Sequence, residues 1–145
     1  MILSSSELVL VIKNICKMNK LIIDATKDKI FLMIINNTTN YSITHKNTKI
    51  NYEKLTLLIK EFLNKKNLNL NNISEIYVNS GPGSFAGIRN SLSIVKAFHL
   101  VSKIDYYCFS FDDFDSNPDV KYENIPKLCE KFKVKKNLIK PVYLS

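Results

Sequence analysis

All three glycines of the 145-residue chain fall within seven positions, at Gly81, Gly83 and Gly87, with Pro82 between the first two. Glycine tolerates positive φ and close backbone approach, and proline stiffens the turn it sits in. A strand ending at Asn79 and a helix beginning at Phe85 would be joined by this loop. Three chemistries compete for it. Gly81-x-Gly83-x-x-Ala86 matches the spacing of a dinucleotide fingerprint, although an antiparallel meander precedes it and little chain follows. A P-loop fails on spacing, because no glycine is followed five residues later by Gly-Lys-Ser/Thr. The third reading is a turn that lets the helix pack closely, with free amides that could hold an anion.

Few other residues carry chemistry. Asp24 closes an apolar strand, where it could ligate Mg²⁺ or serve as a turn residue. Ser84 has no His–Asp support for a nucleophilic role and is better placed as an N-cap. His45 and His99 have no acid, Cys or His at metal-ligand spacing, so surface or interface positions are expected. Cys16, Cys108 and Cys129 are odd in number and contain no CxxC pair, which supports neither a disulfide framework nor a zinc knuckle. A reduced, cytoplasmic setting is expected. Arg89 is the single arginine among 21 basic residues. In so lysine-rich a chain it suggests a need for the planar guanidinium, met by a partner or by a nearby carboxylate.

The elements that would position these residues follow from periodicity. Lys20–Asp24, Ile30–Ile35 and Tyr41–His45 read as a three-strand meander. Leu55, Leu58, Ile59 and Phe62 share one helical face, and Asn51 is the expected N-cap. Glu75–Asn79 is a strand and Phe85 to about Ser102 a second helix. That helix is apolar around much of its circumference and needs cover on more than one side. Asp105–Ser110 is a further strand, Asp112–Asn117 an acidic loop, Pro126–Lys136 a short basic helix, and Lys140–Ser145 an extended tail. The order is that of an α/β layer with a mixed sheet.

Composition excludes several classes. Hydrophobic residues make up 46% of the chain and charged residues 23%, enough for a packed core and against wholesale disorder. The longest apolar runs, Leu8–Ile12 and Ile30–Ile35, are far short of a membrane span. The net charge is +8. Nearly all of it is lysine, which permits a nucleic-acid partner without requiring one. Residues Lys121–Lys140 hold seven lysines against Glu123 and Glu130 and present either a solvated face or a surface for RNA. Residues 1–17 read as an N-terminal extension, with Met18 as an alternative start.

The longer string Gly81-Pro82-Gly83-Ser84-Phe85-Ala86-Gly87-Ile88-Arg89 resembles the G-P-G-S-F-T-G-[LI]-R signature of the TsaB (YeaZ) family of tRNA threonylcarbamoyladenosine biosynthesis. Leu21–Thr26, Asn51-Tyr52-Glu53-Lys54-Leu55 and Pro141-Val142-Tyr143-Leu144 are similar to other family segments in order and spacing. The chain departs at Ala86, Asn51 and Ser145, where the family carries Thr, His and Arg. The resemblance implies an actin/Hsp70-like (ribonuclease H-like) lobe over residues 18–110, with 111–145 as a short basic remnant of a second lobe. It implies a non-catalytic subunit of the tRNA N6-threonylcarbamoyladenosine (t6A37) complex, with no cofactor or metal of its own. ATP/ADP and metal would sit on partners: a TsaD-like catalytic subunit and a TsaE-like ATPase. tRNA would be met through the complex, and no membrane is expected. Pairing through a helix bundle would draw on Leu55, Ile59, Phe62, Gly81, Gly83, Phe85, Gly87, Ile88, Arg89, Leu92 and Val95. The alternatives are a small nucleotide-binding or ATP-hydrolysing enzyme using Asp24 and the glycine loop, and a homodimeric scaffold unrelated to tRNA modification.

Overall fold

A computed structural model of the chain describes residues 2–16 (without the side chains of 12–16), 18–37, 39–115, 117 and 120–143. The elements run α1 (Ser5–Cys16), β1 (Asn19–Asp24), β2 (Lys29–Ile35), β3 (Asn40–Lys46), α2 (Lys49–Glu53), α3 (Leu55–Lys65), β4 (Ile73–Asn79), α4 (Phe85–Ser102), β5 (Asp105–Phe109) and α5 (Ile125–Lys131). The side chain of Cys16 and residues Leu144 and Ser145 lie outside the described set.

The five strands form one sheet in the order β3-β2-β1-β4-β5. β1, β2 and β3 are the antiparallel meander; β4 joins β1 in parallel, and β5 joins β4 in parallel. Successive side chains of a strand point to opposite faces, and here both faces are buried. Leu21, Ile23, Ile30, Leu32, Ile34, Ile76, Val78, Tyr106 and Cys108 enter a core with α3 and α4. Ile22, Met33, Tyr77 and Phe109 enter a second core with Phe114, Ile125, Leu128 and Cys129. Strands covered on both faces read as near-continuous apolar runs rather than alternating ones, as Leu21–Ile23 and Ile30–Ile35 do. The stretch after β5 thus covers the central part of one face of the sheet.

The helical stretch begins at Lys49, earlier than the sequence reading places it, and is divided at Lys54 into α2 and α3. Thr48, in extended conformation, accepts from the Asn51 amide and caps α2. Asn51 is therefore inside the helix, and its side-chain amide donates to the Lys46 carbonyl at 2.7 Å. The cap moves because Thr48 sits at the strand exit, where its hydroxyl meets free first-turn amides. α5 is also shorter than Pro126–Lys136. It ends at Lys131, with Lys133 in the left-handed region at φ 55°.

α4 finds the cover that its composition demands. It packs on β4 and β5 and against α2 and α3. It stops at Lys103, which adopts φ 59° and returns its amide to the His99 carbonyl. No helix among the described residues is long and apolar enough to cross a membrane.

Candidate functional site

The glycine loop lies where the ends of β1 and β4 meet the start of α4. Asn79, the last residue of β4, accepts from the Gly81 amide at 3.0 Å. Ser84 accepts from the Gly87 amide and so caps α4, as its type and place suggest. The Tyr52 hydroxyl lies 2.9 Å from the Ser84 hydroxyl and ties α2 to the same cap. The Ser84 amide donates to the Thr26 carbonyl at 2.8 Å, which clamps the loop onto the turn after β1.

Each glycine is there because backbone occupies the place of a side chain. A Cβ at Gly83 would overlap the Thr26 carbonyl, and one at Gly87 the Ala25 carbonyl. Gly81 has φ +117°, and a Cβ on it would overlap the Val142 carbonyl. The tail reaches this point along β5 and α4: Asn137 exchanges backbone and side-chain hydrogen bonds with Tyr106, and the Val142 amide donates to the Ser80 carbonyl at 2.7 Å. The Tyr143 ring then meets Phe85 at 4.9 Å between centroids.

Asp24 is 2% exposed and fully engaged. One carboxylate oxygen accepts from the Thr26 amide and hydroxyl at 3.0 and 2.7 Å. The other accepts from the Asn79 amide at 2.9 Å and the Tyr122 hydroxyl at 2.6 Å. Burial, with the adjoining Asp24 carboxylate, pushes the Tyr122 hydroxyl pKa up, so it stays a donor. Tyr122 is held in turn by stacking on Phe31 at 4.0 Å. Four donors at normal distances occupy the acceptor positions of this carboxylate. Among the described residues no group of three His, Cys, Asp or Glu side chains could hold a metal ion. The structure therefore uses Asp24 as a turn anchor.

The residues expected at a partner surface separate into two sets. Leu55, Ile59, Phe62, Ile88, Leu92 and Val95 are buried in the chain's own core. Helical periodicity identified their common faces, but those faces look onto the sheet and onto each other. Gly81 and Gly87 are buried and Gly83 half-buried. Phe85, at 58% exposure, and Arg89 do face outward. Arg89 makes no ion pair among the described residues, where the one pair is Lys136–Asp105 at 3.7 Å. The outer surface of the helix pair carries apolar residues outside the expected interface set: Leu57, Leu100 and Val101, the last 82% exposed.

The remaining candidates have structural places. The His99 ring hydrogen-bonds the Ile104 carbonyl at 2.9 Å and meets Tyr106 edge-on. His45 pairs with Ile30 on the edge strand. Cys108 and Cys129 are free and buried; burial pushes the Cys129 thiol up to about 12.

Comparison with known proteins joins this geometry to a family. The family described as "TsaD: tRNA N6-adenosine threonylcarbamoyltransferase" matches residues 42–110, from β3 to the end of β5. The tRNA threonylcarbamoyladenosine biosynthesis protein TsaB of Buchnera aphidicola subsp. Baizongia pistaciae is 37% identical over 68 aligned residues, taking in 41% of this chain and 31% of that protein. Among solved structures, YeaZ from Pseudomonas aeruginosa superposes with a TM-score of 0.59 at 16% identity, covering 63% of this chain and 43% of YeaZ. RuvC of T. thermophilus, solved with a Holliday junction substrate, superposes with a TM-score of 0.50 at 10% identity over 86% of this chain and 83% of that one. The last two speak to fold alone: an actin-like, ribonuclease H-like lobe. The chain spans about a third of the length of the curated relative it matches. Over the matched segment, which holds the glycine loop and the paired helices, the chain is similar to the TsaB (YeaZ) family.

Proposed function

We propose that the chain acts in the synthesis of threonylcarbamoyladenosine in tRNA as a non-catalytic subunit that pairs with a TsaD-type catalytic subunit. The observation that carries this reading is the 37% identity to a TsaB protein over 68 residues, supported by the family match over residues 42–110, the part that builds α3, the glycine loop and α4. Two features of the structure support it. The helix pair keeps Leu57, Phe85, Leu100 and Val101 on its outer side although its core faces are satisfied. Apolar surface of that kind, on rigid helices, suits helix-bundle docking. The acid that a nucleotide-using lobe would need, Asp24, is instead sealed by Thr26, Asn79 and Tyr122. In this reading the cofactor and metal of the reaction belong to the partners, including a TsaE-type ATPase.

The test is co-expression of the full chain with the TsaD-type subunit of the same organism, followed by size exclusion with light scattering. A stoichiometric heterodimer is expected. A homodimer indifferent to that subunit would overturn the reading and favour a self-pairing scaffold. A melting-temperature rise with ATP and Mg²⁺ for the isolated chain would favour the nucleotide-binding alternative.

A further inference from the structure

The sheet face opposite α3 and α4 has a different character. Residues 121–140 hold net charge +5, from seven lysines and two glutamates, against +8 for all 145 residues. The fold gathers this charge around two adjoining clefts. One, of about 400 Å³, lies between α5 and the starts of the central strands, with Lys20, Lys127 and Lys133 on its walls beside Tyr77 and Tyr107. The other, of about 360 Å³, is lined by Lys133, Lys135 and Lys140 with Phe132. Lys133 and Val134 belong to both, so the clefts meet at the turn that ends α5.

None of these five lysines is in an ion pair among the described residues, where Lys136–Asp105 is the one pair. Carboxylates share the lining but are partly engaged: Glu75, in the first cleft, accepts from the Tyr77 hydroxyl at 2.7 Å, and Asp113, in the second, accepts from the Ser110 amide at 2.9 Å. Glu130 is exposed on the first cleft.

We propose that this double cleft binds the phosphodiester backbone of a folded RNA. Lysine is a compact point charge suited to phosphate, and it is depleted in protein–protein interfaces, which prefer apolar and aromatic cores. A backbone-tracking surface needs unpaired cations along a groove rather than base-specific forks. The absence of arginine from the clefts fits that sequence-independent mode. The first cleft lies across the sheet from the helix pair and the second at the β5 edge, so the outer face of α3 is left free. The choice of RNA rests on the proposed role in tRNA modification; the charge and the geometry do not.

The test is fluorescence anisotropy of a labelled, unmodified tRNA transcript with the full chain, between about 50 and about 200 mM salt. The triple variant Lys127→Gln, Lys133→Gln, Lys135→Gln should bind at least ~10-fold more weakly at low salt. Its log K against log salt slope should fall by about 0.7–0.9 for each phosphate contact removed. A control variant, Lys54→Gln, Lys60→Gln, Lys65→Gln, removes the same charge from the exposed surface of the other side and should bind as the parent does. Equal weakening by the two triples would overturn the proposal, since net charge alone would then explain binding. Competition by poly-L-glutamate as effective as by RNA at equal charge would also overturn it, in favour of an acidic protein. Co-elution of the cleft variant with the TsaD-type subunit separates the outcomes. RNA loss with retained pairing concerns this face only, and lost pairing in both parent and variant concerns the proposed function.

Discussion

Tyr122 donates its hydroxyl proton to Asp24 across 98 positions of sequence, at 2.6 Å, and this bond joins the turn after β1 to the segment that covers the far face of the sheet. Hydrogen bonds to a buried charge are worth more than neutral ones, and removing the donor leaves the carboxylate short of a partner. Tyr122→Phe keeps the ring stacked on Phe31 and deletes only the hydroxyl. It should cost about 1–3 kcal/mol, read as a lower urea midpoint with an unchanged m-value. An unchanged midpoint would mean that the carboxylate is satisfied without Tyr122.

The glycine loop yields a sharper contrast. At Gly87 and Gly83 the obstacle to a side chain is backbone, which cannot rotate away. Gly87→Ala should therefore shift α4 off the β1 turn and lower the melting temperature well beyond an ordinary surface change. The chain solves left-handed positions differently elsewhere: Asn67, Lys103, Asp115, Lys133 and Asn137 all have positive φ without glycine. At Lys103, exposed and following the last turn of α4, the left-handed conformation favours glycine and only glycine's extra chain entropy argues against it. Lys103→Gly should stabilise by roughly 0.5–1 kcal/mol, the net of the left-handed penalty and glycine's extra chain entropy. Thermal unfolding of the two variants side by side checks both signs.

This contrast also shows what the sequence made legible. In a chain with three glycines, their clustering marked a place where no side chain fits, and the strand–loop–helix around it follows. The first two meander strands were readable from their continuous apolar runs, and both long helices from apolar residues at helical spacing. The Tyr122–Asp24 bond was not, because nothing local in Lys121–Asn124 points to a partner so distant in the chain. Likewise Ile59 and Leu92 announce a buried face, but a period cannot say whether that face is covered by the chain's own sheet or by another protein. Thr48 was passed over as a cap because Asn51, also a good capping type, stood closer to the apolar run.

Buried ionisable groups set an alkaline limit. Cys129 is raised to about 12 from an ordinary value of 9.0, by burial first and then by Asp113 and Glu75. Burial also raises the Cys108 thiol and the Tyr77 and Tyr107 hydroxyls. Each such group stays protonated in the folded chain where the unfolded chain has released its proton. Above about pH 9 the unfolded state thus binds fewer protons, and stability falls as pH rises through the thiol and phenol range. Below that range their contribution is fully present. Urea midpoints should hold from neutrality to about pH 8.5 and then drop steadily. At neutral pH, Cys108 and Cys129 should resist iodoacetamide until the chain is unfolded; prompt alkylation of the folded protein would contradict their burial.

The division between core and outer faces of the helix pair makes the partner-docking reading separable from folding. Ile59 and Leu92 are buried at 0% and 5% exposure, so an aspartate there places an unpaired charge in the core and should unfold the chain. Lost pairing in those variants would say nothing about an interface. Leu100 and Val101 are 61% and 82% exposed. Leu100→Asp with Val101→Asp should leave the melting temperature within a few degrees of the parent, because neither side chain contributes much burial to the isolated chain. If the outer face of α4 docks on a TsaD-type subunit, the same double variant should lose co-elution by at least ~10-fold, the effect of desolvating a charge in an apolar contact. A folded double variant that still co-elutes in full would move the interface off α4, towards Leu57 on α3 or to another side of the lobe.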